Sequence, residues 1–272
     1  MFLRGLASLL ATAVLVVWIT QSAIAAAPLG DLTLGLLLAG RAPFRGLTLA
    51  DAVWTATSRS AILLGAALVA AMAIGVTSGV AFAFSRSRVI RGAAWGLGTV
   101  GASLPSFFWA MLLQLVVVLV YLRTQRLIAP VSGGFGVDQH LILPALALAL
   151  RPAAYMFRTT ATALDEARNA PHVVTAWAKG LGPLRVAERH VARNAAPAVF
   201  AGLALGAKTA LSSLAIVEFV FTWNGAGYAF ILAVANGNVT FASALALVFA
   251  LALAATGALV ALATRAVNVS SR

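Results

Sequence analysis

The chain has 272 residues, of which 62% are hydrophobic and only 10% charged. A soluble domain carries about 25% charged residues, so most of this surface must face an apolar medium. The formal net charge of +12 falls between long apolar runs, which argues against the basic stripe that a nucleic-acid-binding domain presents on a soluble fold.

Runs long enough to span a bilayer recur along the chain. The first, Leu6–Ala27, follows Arg4 and ends in Ala25-Ala26-Ala27. A secretory signal shares that outline, but its apolar core is usually about 7–15 residues. The longer run here reads as an uncleaved first helix, and residues 1–52 as that helix with a short outer loop. Further spans are predicted at Ala61–Phe84, Ala94–Tyr121, Leu141–Tyr155, Ala198–Trp223 and Phe241–Ala263. Lipid offers the backbone no hydrogen bonds, so each must close its own as a helix. Leu141–Tyr155 carries Pro144, Arg151 and Pro152, and is predicted to continue as helix into the cytosol. A long inner loop, about 158–197, follows. Its helical pieces are broken at Pro171 and at Gly180-Leu181-Gly182-Pro183. With the N-terminus inside, twelve Lys and Arg fall on the inner side and five on the outer side. Arg151 and Lys208 complete the set within the spans. The split predicts both termini in the cytoplasm.

Several residues within and beside the spans invite a chemical reading. Lys208 lies about ten residues into the fifth span, roughly 15 Å deep by helical rise. A lysine there costs about 2.5–3.5 kcal/mol on insertion scales, so it must face protein or a water-filled route. It is either a cation lining a translocation path or a lysine that pairs within the bundle or snorkels. Glu218, ten residues on, sits about 280° around the helix and is not a same-face partner. It is the second candidate for the path. Gly75-x-x-x-Gly79 and Gly202-x-x-x-Gly206 allow close helix approach. The run Gly202 to Thr209 is one residue short of a phosphate-binding loop, but it lies inside an apolar span rather than after a strand. ATP hydrolysis is therefore expected on another chain. Asp165 and Glu166 are adjacent and point apart on a helix, which does not suit acid–base catalysis. The chain has no cysteine, and His140, His172 and His190 lack metal-ligand spacing. No catalytic, cofactor or metal residue is predicted.

The inner loop carries the most specific signal. It reads Thr175-Ala176-Trp177-Ala178-Lys179-Gly180-Leu181, then His190-Val191-Ala192-Arg193-Asn194. This resembles the EAA loop of permease subunits of ATP-binding-cassette importers, in the dipeptide, oligopeptide and nickel branch. Three more stretches resemble that family in the same order: Ile74 to Gly79, Ser103 to Trp109, and Glu218 to Gly227. Trp177 stands where the family has Arg, and Asn224 where it has Pro.

The resemblance implies an all-α membrane protein of about six transmembrane helices, with the type I importer permease fold. The permease domain would cover 53–266, with a cytoplasmic tail at 267–272. Implied partners are a second homologous permease, ATPase subunits on the cytoplasmic side, and an extracytoplasmic substrate-binding protein. The location would be the bacterial inner membrane, and the solute peptide-like or a related small molecule. Thr175, Ala176, Trp177, Ala178, Lys179, Gly180, Leu181, His190, Arg193 and Asn194 would couple the chain to the ATPase. The local physics agrees. A short helix with small residues at Ala176 and Ala178 can sit close in a partner groove, and Gly180 lets the chain turn away. A secondary transporter or channel is the other reading of these spans. It calls for charged filters or ion sites within them, where Lys208 and Arg151 stand.

Overall fold

The computed structural model describes residues 48–132 and 134–270. The predicted first span, Leu6–Ala27, lies outside the described residues. Among the described residues the elements are helices: α1 Leu49–Phe84, α2 Arg88–Ser103, α3 Ser106–Thr124, α4 Gln139–Arg168, α5 Pro171–Ala178, α6 Pro183–Val186, α7 Arg193–Val220, α8 Ala226–Ala235 and α9 Val239–Ser270. A π-helical turn, Ala187–Ala192, feeds α7. Among the described residues five helical stretches are long and apolar enough to cross a membrane: α1, α3, α4, Ala187–Val220 and Val239–Leu262.

The third predicted span is corrected. Ala94–Tyr121 is not one helix but the end of α2 and most of α3, broken at Leu104-Pro105. Proline disfavours the helical region for the residue before it. Leu104 accordingly takes ψ 135°. The crossing helix is therefore α3, and α2 is a separate amphipathic helix that starts at Ser87, whose hydroxyl accepts from the Ile90 N–H. The predicted fourth span does continue as helix, through to Arg168.

The chain divides into two compact units. The first takes its described residues from 48–66, 110–147 and 211–255. Its core gathers Leu49, Ala52 and Ala56 of α1, Ala226 and Ala233 of α8, and Phe241, Ala242 and Leu245 of α9. At the start of α4 the Asp138 side chain accepts from the His140 N–H at 3.0 Å. That bond, and the His140 ring 2.8 Å away, hold the Asp138 carboxyl below the usual carboxylate range.

The second unit takes its described residues from 67–109, 148–210 and 256–270. Here α4 is packed on both sides through glycines. A Cβ at Gly75 of α1 would lie 2.6 Å from the Ala153 carbonyl oxygen, and one at Gly79 would lie 2.7 Å from Thr160 Cβ. From the other side, Gly202 of α7 meets Thr159. Gly75, Gly79 and Gly202 thus permit contact that any side chain would block, whereas a Cβ at Gly206 would make ordinary contact with Pro152. An aromatic group of Phe82, Trp95 and Phe157 closes this packing, with Phe82 and Phe157 edge-on at 5.6 Å.

Candidate functional site

The inner loop starts where α4 ends. Pro171 opens α5, where its missing N–H costs nothing. Helical spacing then sorts the side chains. Val173 and Ala176, three residues apart, are buried with Leu164, Ala167, Val186, Val191 and Ala195. Val174, Thr175, Ala178 and Lys179 face outward, with Val174 60% exposed. This corrects one expectation. Ala176 is only 3% exposed. Its small size serves packing within this chain, and the outward small residue is Ala178.

Gly180 ends α5 with φ +72°. The Leu181 N–H donates back to the Ala176 carbonyl at 3.3 Å, and Leu181 packs on the same cluster. This is a Schellman closure, and the left-handed residue it needs is the reason for glycine. The chain restarts at Pro183 as α6. The breaks read from the sequence at Pro171 and at Gly180 to Pro183 fall where the structure has them.

His190, Arg193 and Asn194 stand where the π turn becomes α7. Asn194 donates to the His190 carbonyl at 2.9 Å, and its amide lies 2.6 Å from His172 Nε2. The two imidazoles are 6.3 Å apart. Asn194 therefore clamps the first turn of α5 to the first turn of α7. Arg193 is exposed. Sequence reasoning missed His172, because nothing in a spacing of 22 residues announces its contact with Asn194. Two arginines brace the neighbourhood. Arg168 donates to the Ala83 carbonyl and lies over the Phe84 ring at 5.2 Å. Arg91 binds Asp165 through both guanidinium nitrogens, at 2.8 and 3.4 Å. That contact raises the Arg91 pKa, and it commits Asp165 to a structural pair.

The second site is the turn after α7, within the first unit. Glu218 is completely buried. One carboxylate oxygen accepts from the Ser60 hydroxyl, and the other from the N–H groups of Gly227 at 2.7 Å and Tyr228 at 3.1 Å. Gly225 is the N-cap of α8 and has no side chain to supply an acceptor. Glu218 takes that place from the previous helix and satisfies two of the free N–H groups of α8. Ser60 relays the arrangement to a third by accepting from the Ala226 N–H at 2.7 Å. The Trp223 indole donates to the Arg59 carbonyl at 3.1 Å. The Arg59 guanidinium lies over the Phe135 ring at 4.9 Å. Gly225 and Gly227 have no room for a side chain, because a Cβ at Gly225 would run into Glu218 and Ser60, and one at Gly227 into Ala215. Ser60 was not legible as Glu218's partner, lying 158 residues away in sequence.

Lys208 is exposed on α7, about midway along it. The run Gly202 to Thr209 is helix throughout, so its glycines do not form a phosphate-binding loop.

Long apolar helices, glycine-mediated packing and a loop with an exposed short helix define a multi-pass helical membrane protein. The pattern of the binding-protein-dependent transport system inner membrane component matches residues 71–270. The chain belongs to that family. It is 30% identical over 189 residues to the dipeptide transport system permease protein DppB of Escherichia coli (strain K12), covering 59% of this chain and 55% of that one. It is 31% identical over 167 residues to the protein of the same name in Bacillus subtilis (strain 168), covering 61% and 52%. Against the peptide transport system permease protein SapB of Salmonella typhimurium it is 30% identical over 201 residues, covering 64% and 61%. The chain spans little more than half the length of these relatives.

Proposed function

We propose that the chain is the permease subunit of an ATP-driven, binding-protein-dependent importer. It would form, with a second similar permease, the inner-membrane route for a peptide-like or related small solute. The observation that carries this reading is the α5 loop. A short helix is rooted by Val173 and Ala176 and turns Val174, Thr175, Ala178 and Lys179 outward. An exposed apolar residue among small ones is what a partner groove covers. The partner would be an ATPase subunit on the cytoplasmic side, with Trp177, Gly180, Leu181, His190, Arg193 and Asn194 shaping or flanking the contact. A substrate-binding protein would deliver solute from the other face. ATP binding and release would shift the population between inward-open and outward-open states. Glu218 would serve the route through the turn it caps, and Lys208 by lining it. The names of the relatives support the solute class.

The test is uptake of a labelled dipeptide into proteoliposomes that carry the assembled importer. Uptake is expected with ATP and not with a non-hydrolysable analogue. Uptake by the permease alone, driven by an ion gradient, would replace this reading with a secondary transporter.

The charge split supports both termini in the cytoplasm. The chain's lack of cysteine makes the check clean. Single cysteines replacing Ser87 or Thr175 are expected to stay shielded from an impermeant thiol reagent in intact cells. Cysteines replacing Thr48, Ser132 or Asn236 are expected to react. Labelling at position 175 from outside would overturn the orientation.

A further inference from the structure

Two cations stand at one level of the second unit. On α4, Arg151 is 12 residues beyond Gln139. On α7, Lys208 is 12 residues short of Val220. At about 1.5 Å per residue each is about 18 Å from that helix end. The opposite ends, Arg168 and Arg193, are further still, at 17 and 15 residues. Lys208 starts too deep to reach an interface cheaply, whereas Arg151 is four residues before Tyr155, where its predicted span ends and α4 continues as helix.

Packing ties the two levels together. A Cβ at Gly206 would lie 3.4 Å from Pro152 Cβ, so α4 and α7 touch beside Arg151 and Lys208. Towards the other end Gly202 meets Thr159. The helices therefore run antiparallel, and the cations stay level. Neither charge is hidden in the core of this chain. Lys208 is exposed and Arg151 is half-buried. Arg151 Nε is buried without an acceptor among the described residues.

We propose that this cationic level lines the solute route and favours solutes that carry a carboxylate, such as a short peptide with a free C-terminus. The inference rests on the permease reading above. Positive potential in a narrow water-filled passage attracts an anionic group. The ammonium of Lys208 offers it a point charge, and the guanidinium of Arg151 a planar fork. The ammonium end of a peptide is repelled from the same level, so the solute is oriented as it passes.

The test needs no knowledge of the natural solute. Lys208→Cys is placed in the assembled importer in nanodiscs, where both faces meet the reagent. Its reaction rates with an anionic sulfonatoethyl and a cationic trimethylammonioethyl methanethiosulfonate are compared with those of Ser132→Cys, and the wild-type chain gives the background. The anionic-to-cationic rate ratio at position 208 is expected to exceed that at position 132 by about tenfold or more, through the charge left on Arg151. Adding Arg151→Lys should keep the ratio high, and adding Arg151→Gln should bring it towards the control. A cysteine at 208 that reacts with neither reagent would mean lipid or a partner helix covers this face, and would overturn the proposal. So would equal ratios at the two positions. Either result leaves ATP-dependent uptake by the wild-type importer untouched, so failure here is distinct from failure of the permease reading.

Discussion

Glu218→Ala is expected to be the most damaging single substitution in the first unit. It removes the acceptor for three donors at once: the Ser60 hydroxyl and the N–H groups of Gly227 and Tyr228. Each buried donor left without an acceptor costs about 1–3 kcal/mol. Together the three unmet donors are expected to cost several kcal/mol. Glu218→Gln keeps one acceptor oxygen but turns an amide N–H₂ towards existing donors, so it should fall between. Ser60→Ala should cost less, about 1–3 kcal/mol, since the carboxylate keeps its two backbone donors. Folded yield and thermal unfolding in detergent measure the series. An alanine variant as stable as wild type would show that the network does not hold the turn.

The second large effect is a contrast between two alanines two residues apart. Ala176→Arg forces a charge into the cluster of Leu164, Ala167, Val173 and Val191. Such a change costs several kcal/mol, and the variant should be recovered in low yield. Ala178→Arg points outward. It should leave folded yield near wild type while lowering ATP-driven uptake by about tenfold or more, because the added side chain holds the partner off. Co-purification of the ATPase subunits, alongside uptake, separates the two. If Ala178→Arg retains full uptake and assembly, α5 is not the docking helix. Gly180→Ala offers a milder probe of the same element. At φ +72° an L-residue pays roughly 1–2 kcal/mol, enough to loosen the helix stop without adding bulk.

Much of the architecture could be read ahead because lipid leaves so few choices. An apolar run of spanning length has to be helical, and Ala61–Phe84 and Phe241–Ala263 lie within α1 and α9, while Ala198–Trp223 overruns the end of α7 at Val220. Hydropathy alone did not reveal the division at Leu104-Pro105. The residues on both sides are apolar, and the interruption is a matter of backbone sterics. The inner loop was legible where glycine and proline punctuate it, at Pro171, Gly180 and Pro183. Which face of α5 turns inward was not, because Ala176 and Ala178 are chemically identical and only packing tells them apart. Glu218 was visible as a charge in an apolar setting. Its task was not, since its partners Ser60 and the first turn of α8 come together through tertiary contact alone.

The rooting of α5 gives the loop a mechanical character. Val173 and Ala176 sit in the same cluster as Ala195, which belongs to the first turn of α7. The Asn194 clamp to His172 joins the same two turns a second time. Two attachments at one spot make a stiff joint with little play. A displacement applied to the outward face of α5 would then be delivered to the foot of α7 as a tilt, rather than lost in a slack tether. Over the 15 residues from Arg193 to Lys208, about 22 Å of continuous helix, a tilt of a few degrees moves the lysine sideways by about an ångström or two. If a partner docks on α5 as proposed, the joint would work as a short crank with a long arm, and its stiffness would set how much of each stroke arrives.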